Sequence, residues 1–243
     1  IESGLRSFDR EMPEEINRIL IDDLSDYFFV TEQSGINHLI SEGKEKSKIH
    51  MVGNTMIDSL VNFNSSIEKS NILKEINCPE KYGLMTFHRP SNVDNKDTLI
   101  ELLSTIEKCS KSLNMVLPLH PRTKKSLINH QLWERFQNIE NLIYTDSLGY
   151  LDFMKLVTNA QIVITDSGGI QEETTFLQIP CITVRENTER PITITLGNNE
   201  LIKLNAELIS SRMIEKLKSN LKGEIPPLWD GHATERILDI LSK

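Results

Sequence analysis

The run Thr165-Asp166-Ser167-Gly168-Gly169-Ile170-Gln171-Glu172-Glu173 has the residue types of an anion cradle. Two glycines let a backbone approach a ligand closely. Free N–H groups at a helix start, joined by the Ser167 hydroxyl, suit a phosphate. Glu173, one turn on, could accept hydrogen bonds from ribose hydroxyls. The same run also reads as a capped helix start with glycine chosen for its turn. A second run, Arg185-Glu186-Asn187-Thr188-Glu189-Arg190-Pro191, could clamp a diphosphate or could be a solvated, self-paired loop. His88-Arg89 and His120-Pro121-Arg122 place a proton carrier beside a cation, although a lone histidine is more often structural. Near the start, Glu2, Arg6, Asp9, Glu14 and Glu15 offer acid/base carboxylates. Glu14 and Glu15 could equally complement a helix dipole. Phe153 could stack on a base or pack in a core.

These residues need elements to hold them. A helix is predicted from Pro13-Glu14, with Ile16, Ile19, Leu20 and Leu24 on one face. Strands are predicted at 27–30 and 49–52, with a helix at 35–43 between them and Gly53-Asn54 closing the second. Thr55 is expected to cap the next helix, whose apolar face is Met56, Leu60 and Val61. The polar stretch 65–81 reads as a linker or boundary. Beyond it, strands are predicted at 84–87, 115–119, 142–144, 162–165 and 181–184. Helices are predicted at 96–113, 124–130, 151–158, 170–177 and 206–218, with a terminal helix at 232–243. Short apolar strands alternating with helices specify an α/β fold with a parallel sheet covered on both faces. Ligands in such sheets sit beyond the carboxyl ends of the strands. Four of the predicted strands end in the Gly-Gly, Arg or His features, so one shared anion site explains them more simply than four coincidences.

The composition is that of an ordinary globular chain: 243 residues, 38% hydrophobic and 26% charged. A net charge of -8 argues against nucleic acid as a partner. It leaves room for a small anion held by local arginines. No apolar run reaches the roughly 20 residues that cross a bilayer. Cys78, Cys109 and Cys181 form no CxxC pair, which fits a reducing, cytoplasmic compartment. The six histidines show no zinc spacing, and no metal or other cofactor is expected. The chain opens on Ile1 with no signal peptide, in what reads as a strand end running into a turn, so a preceding segment is expected.

Taken in order, several stretches resemble the non-hydrolysing UDP-N-acetylglucosamine 2-epimerases. They are Glu2-Ser3-Gly4-Leu5-Arg6-Ser7, Met12-Pro13-Glu14-Glu15-Ile16-Asn17-Arg18, Gly53-Asn54-Thr55-Met56-Ile57-Asp58, His88-Arg89-Pro90-Ser91-Asn92, the 166–173 run and the 185–191 run. The resemblance implies a glycosyltransferase-B-like α/β fold of two Rossmann-type domains, the N-terminal one incomplete in this chain. On that reading residues 1–54 are its remnant, 55–230 the UDP-binding domain, and 231–243 a helix packing back on the first. The implied reaction eliminates UDP from UDP-N-acetylglucosamine with loss of the C2 proton. UDP then adds back with C2 inverted, giving UDP-N-acetylmannosamine.

By motif position the resemblance makes Glu2, Glu14 and His88 catalytic. It makes Ser167, Gly168, Gly169 and Arg190 the diphosphate binders, Glu173 the ribose binder and Phe153 the uracil neighbour. Arg89 would face a second, allosteric UDP-sugar. The family also implies a homodimer serving surface-polysaccharide or cell-wall precursor synthesis. Its N-terminal segment, expected before Ile1, carries a further catalytic Asp, so the present chain alone is expected to be inactive. A hydrolysing epimerase, a UDP-sugar glycosyltransferase and a bare UDP-binding module remain the alternatives.

Overall fold

The structure is a computed structural model, and it describes residues 1–219 and 222–242. The chain begins with an irregular segment and then α1 (Pro13–Leu24), β1 (Phe28–Val30), α2 (Gln33–Ser41), β2 (Ile49–Met51), α3 (Thr55–Lys69) and α4 (Ile72–Glu75). There follow β3 (Tyr82–Thr86), α5 (Pro90–Val93), α6 (Lys96–Ser110), β4 (Asn114–Leu119), α7 (Pro121–Asn129), α8 (Trp133–Gln137) and β5 (Leu142–Asp146). Last come α9 (Tyr150–Asn159), β6 (Ile162–Thr165), α10 (Gly168–Phe176), β7 (Cys181–Thr183), α11 (Ile192–Thr195), β8 (Asn199–Leu201), α12 (Ala206–Lys218) and α13 (Ala233–Leu241).

β1 and β2 pair in parallel as a small sheet, with Phe28 opposite Ile49. The other six strands form one sheet in the order β5-β4-β3-β6-β7-β8, every pair parallel. Strand alternation sends neighbouring side chains to opposite faces. Met85, Met115, Leu117 and Ile164 join the core under α6 and α12. Leu84, Val116 and Val163 join the core under α3, α4, α9 and α10. The order runs outward through β4 and β5 on one side of β3, and through β7 and β8 beyond β6. The direction of winding therefore reverses between β3 and β6. A crevice opens at the carboxyl ends of the strands at such a switch. The two loops that leave β3 and β6 carry His88-Arg89 and Asp166-Ser167.

Several expectations are corrected. Asn54, not Thr55, caps α3, its Oδ1 accepting from the Met56 N–H at 2.8 Å. The apolar face of α3 is Ile57, Leu60 and Ile67, and Val61 is exposed. The stretch 65–81 is no linker: α3 continues through Lys69, and Ile67, Ile72 and Tyr82 are buried in the second core. Its polar composition belongs to the solvent face of a helix that also buries a few apolar side chains. α1 is inverted relative to its pattern. Leu20 and Leu24 are exposed, whereas Glu15 and Asp22 are buried. Asp22 accepts from the Gly4 N–H and pairs with Arg6, and Glu15 accepts from the N–H groups of Ser7 and Phe8. Charge-assisted bonds to the irregular N-terminal segment, not apolar packing, dock this helix. β8, three residues reading Asn-Glu-Leu, was not foreseen. Lys243, in the predicted terminal helix, lies outside the described residues.

α13 ties the two sheets. Its first turn is capped from α3, where Asp58 accepts from the N–H groups of Ala233 and Thr234. Ile237 joins Phe29 and Val52 in a small core of its own. Trp229, buried just before it, donates to the Thr31 carbonyl at 3.1 Å. No helix among the described residues is long and apolar enough to cross a membrane. Replacing Asp58 with Ala should lower unfolding stability by about 2 kcal/mol, the scale of a lost cap bonded to a buried charge. Urea denaturation measures it, and an unchanged midpoint would show that the cap does not hold α13.

Candidate active site

Asp166 is fully buried at the end of β6. Its carboxylate accepts from the N–H groups of His88 at 3.1 Å and Arg89 at 2.9 Å, and from Asn92 Nδ2 at 3.1 Å. Asn92 also donates to the Val184 carbonyl, so one carboxylate organises the ends of β3, β6 and β7. Burial alone would raise the Asp166 pKa, but the bonds from His88, Arg89 and Asn92 outweigh it and hold it below its ordinary value. His88 Nδ1 lies 3.0 Å from Asp166 Oδ1, and its side chain is 38% exposed. An ionised Asp166 makes Nδ1 the donor and leaves Nε2 for a ligand. The His120 ring lies 5.4 Å away. Burial and the neighbouring His88 lower the His120 pKa. Arg89 does not point free; its Nε donates to the Asp166 carbonyl at 3.0 Å.

Ser167 is the N-cap of α10, but its hydroxyl makes no cap bond, so it is available at the helix start with the first N–H groups. Gly168 lies in close contact with the 185–191 loop. A Cβ there would lie 3.0 Å from Glu189 Oε1 and 3.1 Å from Arg190 Nη1. At Gly169 it would lie 3.3 Å from Met56 Cε. The 185–191 run is self-paired, as one of its two sequence readings held, but Arg185 and Glu189 are folded inward while Glu186 stays exposed. Arg190 Nε meets Glu172 Oε2 at 2.7 Å, its Nη1 donates to Glu189 Oε1 at 2.6 Å, and its Nη2 lies 3.8 Å from Glu2 Oε2. Arg185 Nη2 donates to the other Glu189 oxygen at 2.9 Å. Burial would raise Glu189, yet Arg190 and Arg185 hold it down at about 2.

Glu2 sits in left-handed backbone (φ 58), a conformation that costs a residue with a side chain about 1 kcal/mol or more. The turn beside it requires glycine. Gly4 has φ +77, and a Cβ would lie 2.3 Å from the Gly35 carbonyl oxygen. Glu14 stands exposed in the first turn of α1 and makes no hydrogen bond or ion pair among the described residues. Glu173 is buried beside Tyr150, and burial raises its pKa to about 7 against the Tyr150 hydrogen bond. Burial and Glu173 raise Tyr150 in turn. Phe153 lies three residues beyond Tyr150 on α9, half-buried against the second core. The contacts thus join Glu2, Gly168 and Arg190 in one cluster and Glu173 to Tyr150 in another. They tie His88 and Arg89 to Asp166, next to Ser167, and leave Glu14 outside these contacts.

Four residues to which the sequence assigned no role of their own lie in the candidate site. Glu172 is fully enclosed and accepts from Asn54 Nδ2 at 2.8 Å. Burial raises its pKa to about 7 against the pull of Arg190. Glu32, buried after β1, feels the Arg190 charge and accepts from Ser34 and the Ile192 N–H. Asp166 and Tyr150 complete the set. The one local signal was the acidic pair Glu172-Glu173 inside a helix whose neighbours Ile170 and Thr174 are buried.

The family model for UDP-N-acetylglucosamine 2-epimerase matches residues 1–242. A UDP-N-acetylglucosamine 2-epimerase of Methanococcus maripaludis is 40% identical, over 99% of this chain and 67% of its own length. A UDP-2,3-diacetamido-2,3-dideoxy-D-glucuronate 2-epimerase of Pseudomonas aeruginosa is 34% identical, over 100% of this chain and 67% of its own. The crystal structure of Methanocaldococcus jannaschii UDP-GlcNAc 2-epimerase with UDP-GlcNAc and UDP superposes with a TM-score of 0.92 at 39% identity. The match covers 100% of this chain and 68% of that one. Topology and superposition together define an α/β protein of the glycosyltransferase-B type. Within that class, the chain belongs to the UDP-N-acetylglucosamine 2-epimerase family, a family of isomerases. It spans about two thirds of the length of these relatives.

The Glu173 carboxyl sets a pH dependence. Its folded pKa of about 7 lies above the ordinary 4.5, so the folded state holds the proton more tightly. That stabilisation is complete below the unfolded value and is lost as pH rises through about 7. Glu173→Gln should therefore lose less stability than the wild type between pH 5 and pH 8 in urea titrations. Parallel pH profiles for the two proteins would contradict it.

Proposed function

We propose that this chain carries the nucleotide-diphosphate site and part of the acid/base machinery of a UDP-N-acetylglucosamine 2-epimerase of the non-hydrolysing type. The observation that carries the proposal is the position of Arg190. Its guanidinium lies against Gly168 at the start of α10 and reaches Glu2 at 3.8 Å. A leaving diphosphate and a carboxylate for proton transfer would thus meet at one cation. Ser167, Gly168, Gly169 and Arg190 hold the diphosphate, Glu173 the ribose, and Phe153 borders the uracil. His88, oriented by Asp166, offers Nε2 to the leaving group.

In the proposed reaction one carboxylate takes the C2 proton while the C1–oxygen bond breaks. A glycal and UDP result. UDP adds back to C1 as a proton reaches the opposite face of C2, which inverts that centre. Glu2 and Glu14 are the proposed proton carriers, and neither is assigned to a particular face. The two relatives described above are both named for epimerising a UDP-sugar at position 2. The higher identity of the first supports UDP-N-acetylglucosamine as substrate. Three free thiols suit a cytoplasmic setting, and a homodimer is the proposed assembly.

Proton NMR of UDP-N-acetylglucosamine in D2O with the full-length protein tests the reaction. A UDP-N-acetylmannosamine anomeric signal, with deuterium entering at C2, is expected. Free N-acetylmannosamine would instead mean that water captures the intermediate, and an unchanged spectrum despite UDP binding would end the epimerase reading. Glu2→Gln and Glu14→Gln should bind UDP but slow deuterium entry by roughly 10²–10⁴-fold, the usual contribution of a general acid or base. Arg190→Ala should weaken UDP binding by roughly 30-fold or more in calorimetry, the scale for losing a buried charge pair. Unchanged affinity would move the diphosphate elsewhere.

A further inference from the structure

The carboxylates around Arg190 outnumber the cations available to them. Glu172, Glu189 and Glu32 are buried, and Glu2 approaches from the N-terminal segment. Against these four stand the guanidinium groups of Arg190 and Arg185, with Arg89 acting on Arg185 from the β3 side. The cluster is therefore anionic before any ligand arrives, although the helix start beside it suits an anion. Arg185 also turns Nη1 into this interior with no hydrogen-bond partner among the described residues, a donor left over for an incoming oxygen. A diphosphate placed at Ser167–Gly169 would add negative charge beside this buried cluster. Like charges in a desolvated site cannot all remain ionised.

One carboxylate is built to yield. Glu189 is gripped by both arginines. Glu2 is partly exposed and can turn to solvent. Glu32 is tied to Ser34 and the Ile192 N–H and only feels Arg190 from a distance. Glu172 is fully enclosed and shares Arg190 with Glu189. Its Oε1 is occupied by Asn54 Nδ2, so a proton has one place to go, Oε2, the oxygen that faces Arg190 Nε. We propose that binding of a nucleotide diphosphate drives a proton from solvent onto Glu172 Oε2, which withdraws that carboxylate from Arg190 and releases the guanidinium to the ligand. Glu172 is thus a positioning residue. The inference rests on the diphosphate site proposed above.

Its proton affinity in the free protein already lies near neutrality, so a modest added charge suffices. The ionisable groups facing it are Arg190 from the 185–191 loop, which Glu189 shares, and Glu2 from the N-terminal segment. Its chain neighbour Glu173, paired with Tyr150, is the competing source of an uptake near pH 7. From α3 it is approached by Asn54, which carries no charge, while Asp58 faces α13.

The test is calorimetry of UDP-N-acetylglucosamine binding to the full-length protein in buffers of different ionisation enthalpy. That ligand has both phosphates esterified, so it lacks the second ionisation near 6 that free UDP brings. Uptake of about one proton per bound ligand is expected at pH 8, with affinity falling up to about tenfold per pH unit above neutrality. Glu172→Gln should bind with no uptake and a flat pH profile. Asn54→Ser keeps a helix cap but removes the donor to Glu172, and should move the uptake window to higher pH. Binding without uptake in the wild type overturns the proposal. So does uptake that survives in Glu172→Gln, which would place the proton on Glu173, or a window unmoved in Asn54→Ser. No binding at all in the wild type would instead remove the diphosphate site itself.

Discussion

A guanidinium group buried between two sheets has to be paired from every side, and that constraint shapes this protein. Breaking a buried ion pair by removing one partner costs on the order of 3–5 kcal/mol. Arg190 is accordingly met by Glu172 from α10, Glu189 from its own loop and Glu2 from the start of the chain. The first two are then fixed by something else. Asn54 holds Glu172, and Arg185 holds Glu189. Asn54 caps α3 with its other atom, so the junction between β2 and α3 is part of the same network. An element can move only if this pairing moves with it.

The parallel sheet gives the cluster its place. Winding reverses between β3 and β6, so the loops after these strands diverge and leave a gap at their carboxyl ends. Asp166 spans the gap with bonds to His88, Arg89 and Asn92. That makes the His88 ring position a property of the β6 end as much as of its own strand. The α10 start, the His88 side chain and the Arg190 cluster are then neighbours because one carboxylate and one guanidinium bind the three loops together.

What could be read in the sequence was what is local. The strand 162–165 coincides with β6, and the Gly-Gly after it stands where side chains of the 185–191 loop and α3 come close. The alternation of strands and helices was legible because apolar spacing is a property of a few consecutive residues. The contacts that make the site are not local. Asn54 and Glu172 are 118 residues apart, and Asp166 and Arg89 are 77. Glu32 carries no motif at all and enters only because β1 lies beside the 190 loop. α1 failed as a hydrophobic pattern for a related reason. The face that docks does so through Glu15 and Asp22, and ion pairs leave no apolar periodicity to read.

The strengths of the contacts around Arg190 are unequal, and the inequality bears on chemistry. Coulomb attraction falls with distance and with water between the charges. Glu172 and Glu189 touch the guanidinium at 2.7 and 2.6 Å in a water-poor interior, whereas Glu2 stands at 3.8 Å with its side chain 31% exposed. The first two set where Arg190 sits. The third contributes little to holding it and is correspondingly free to turn. A carboxylate only loosely bound by its charge partner is the kind that can exchange a proton with a ligand. A carboxylate held in a short ion pair takes a proton only when a further negative charge competes for its cation. The geometry therefore separates two duties that the acidic residues of this sequence could not reveal by type. In the free protein Glu172 and Glu189 hold the cation, and Glu2 is the carboxylate held most loosely.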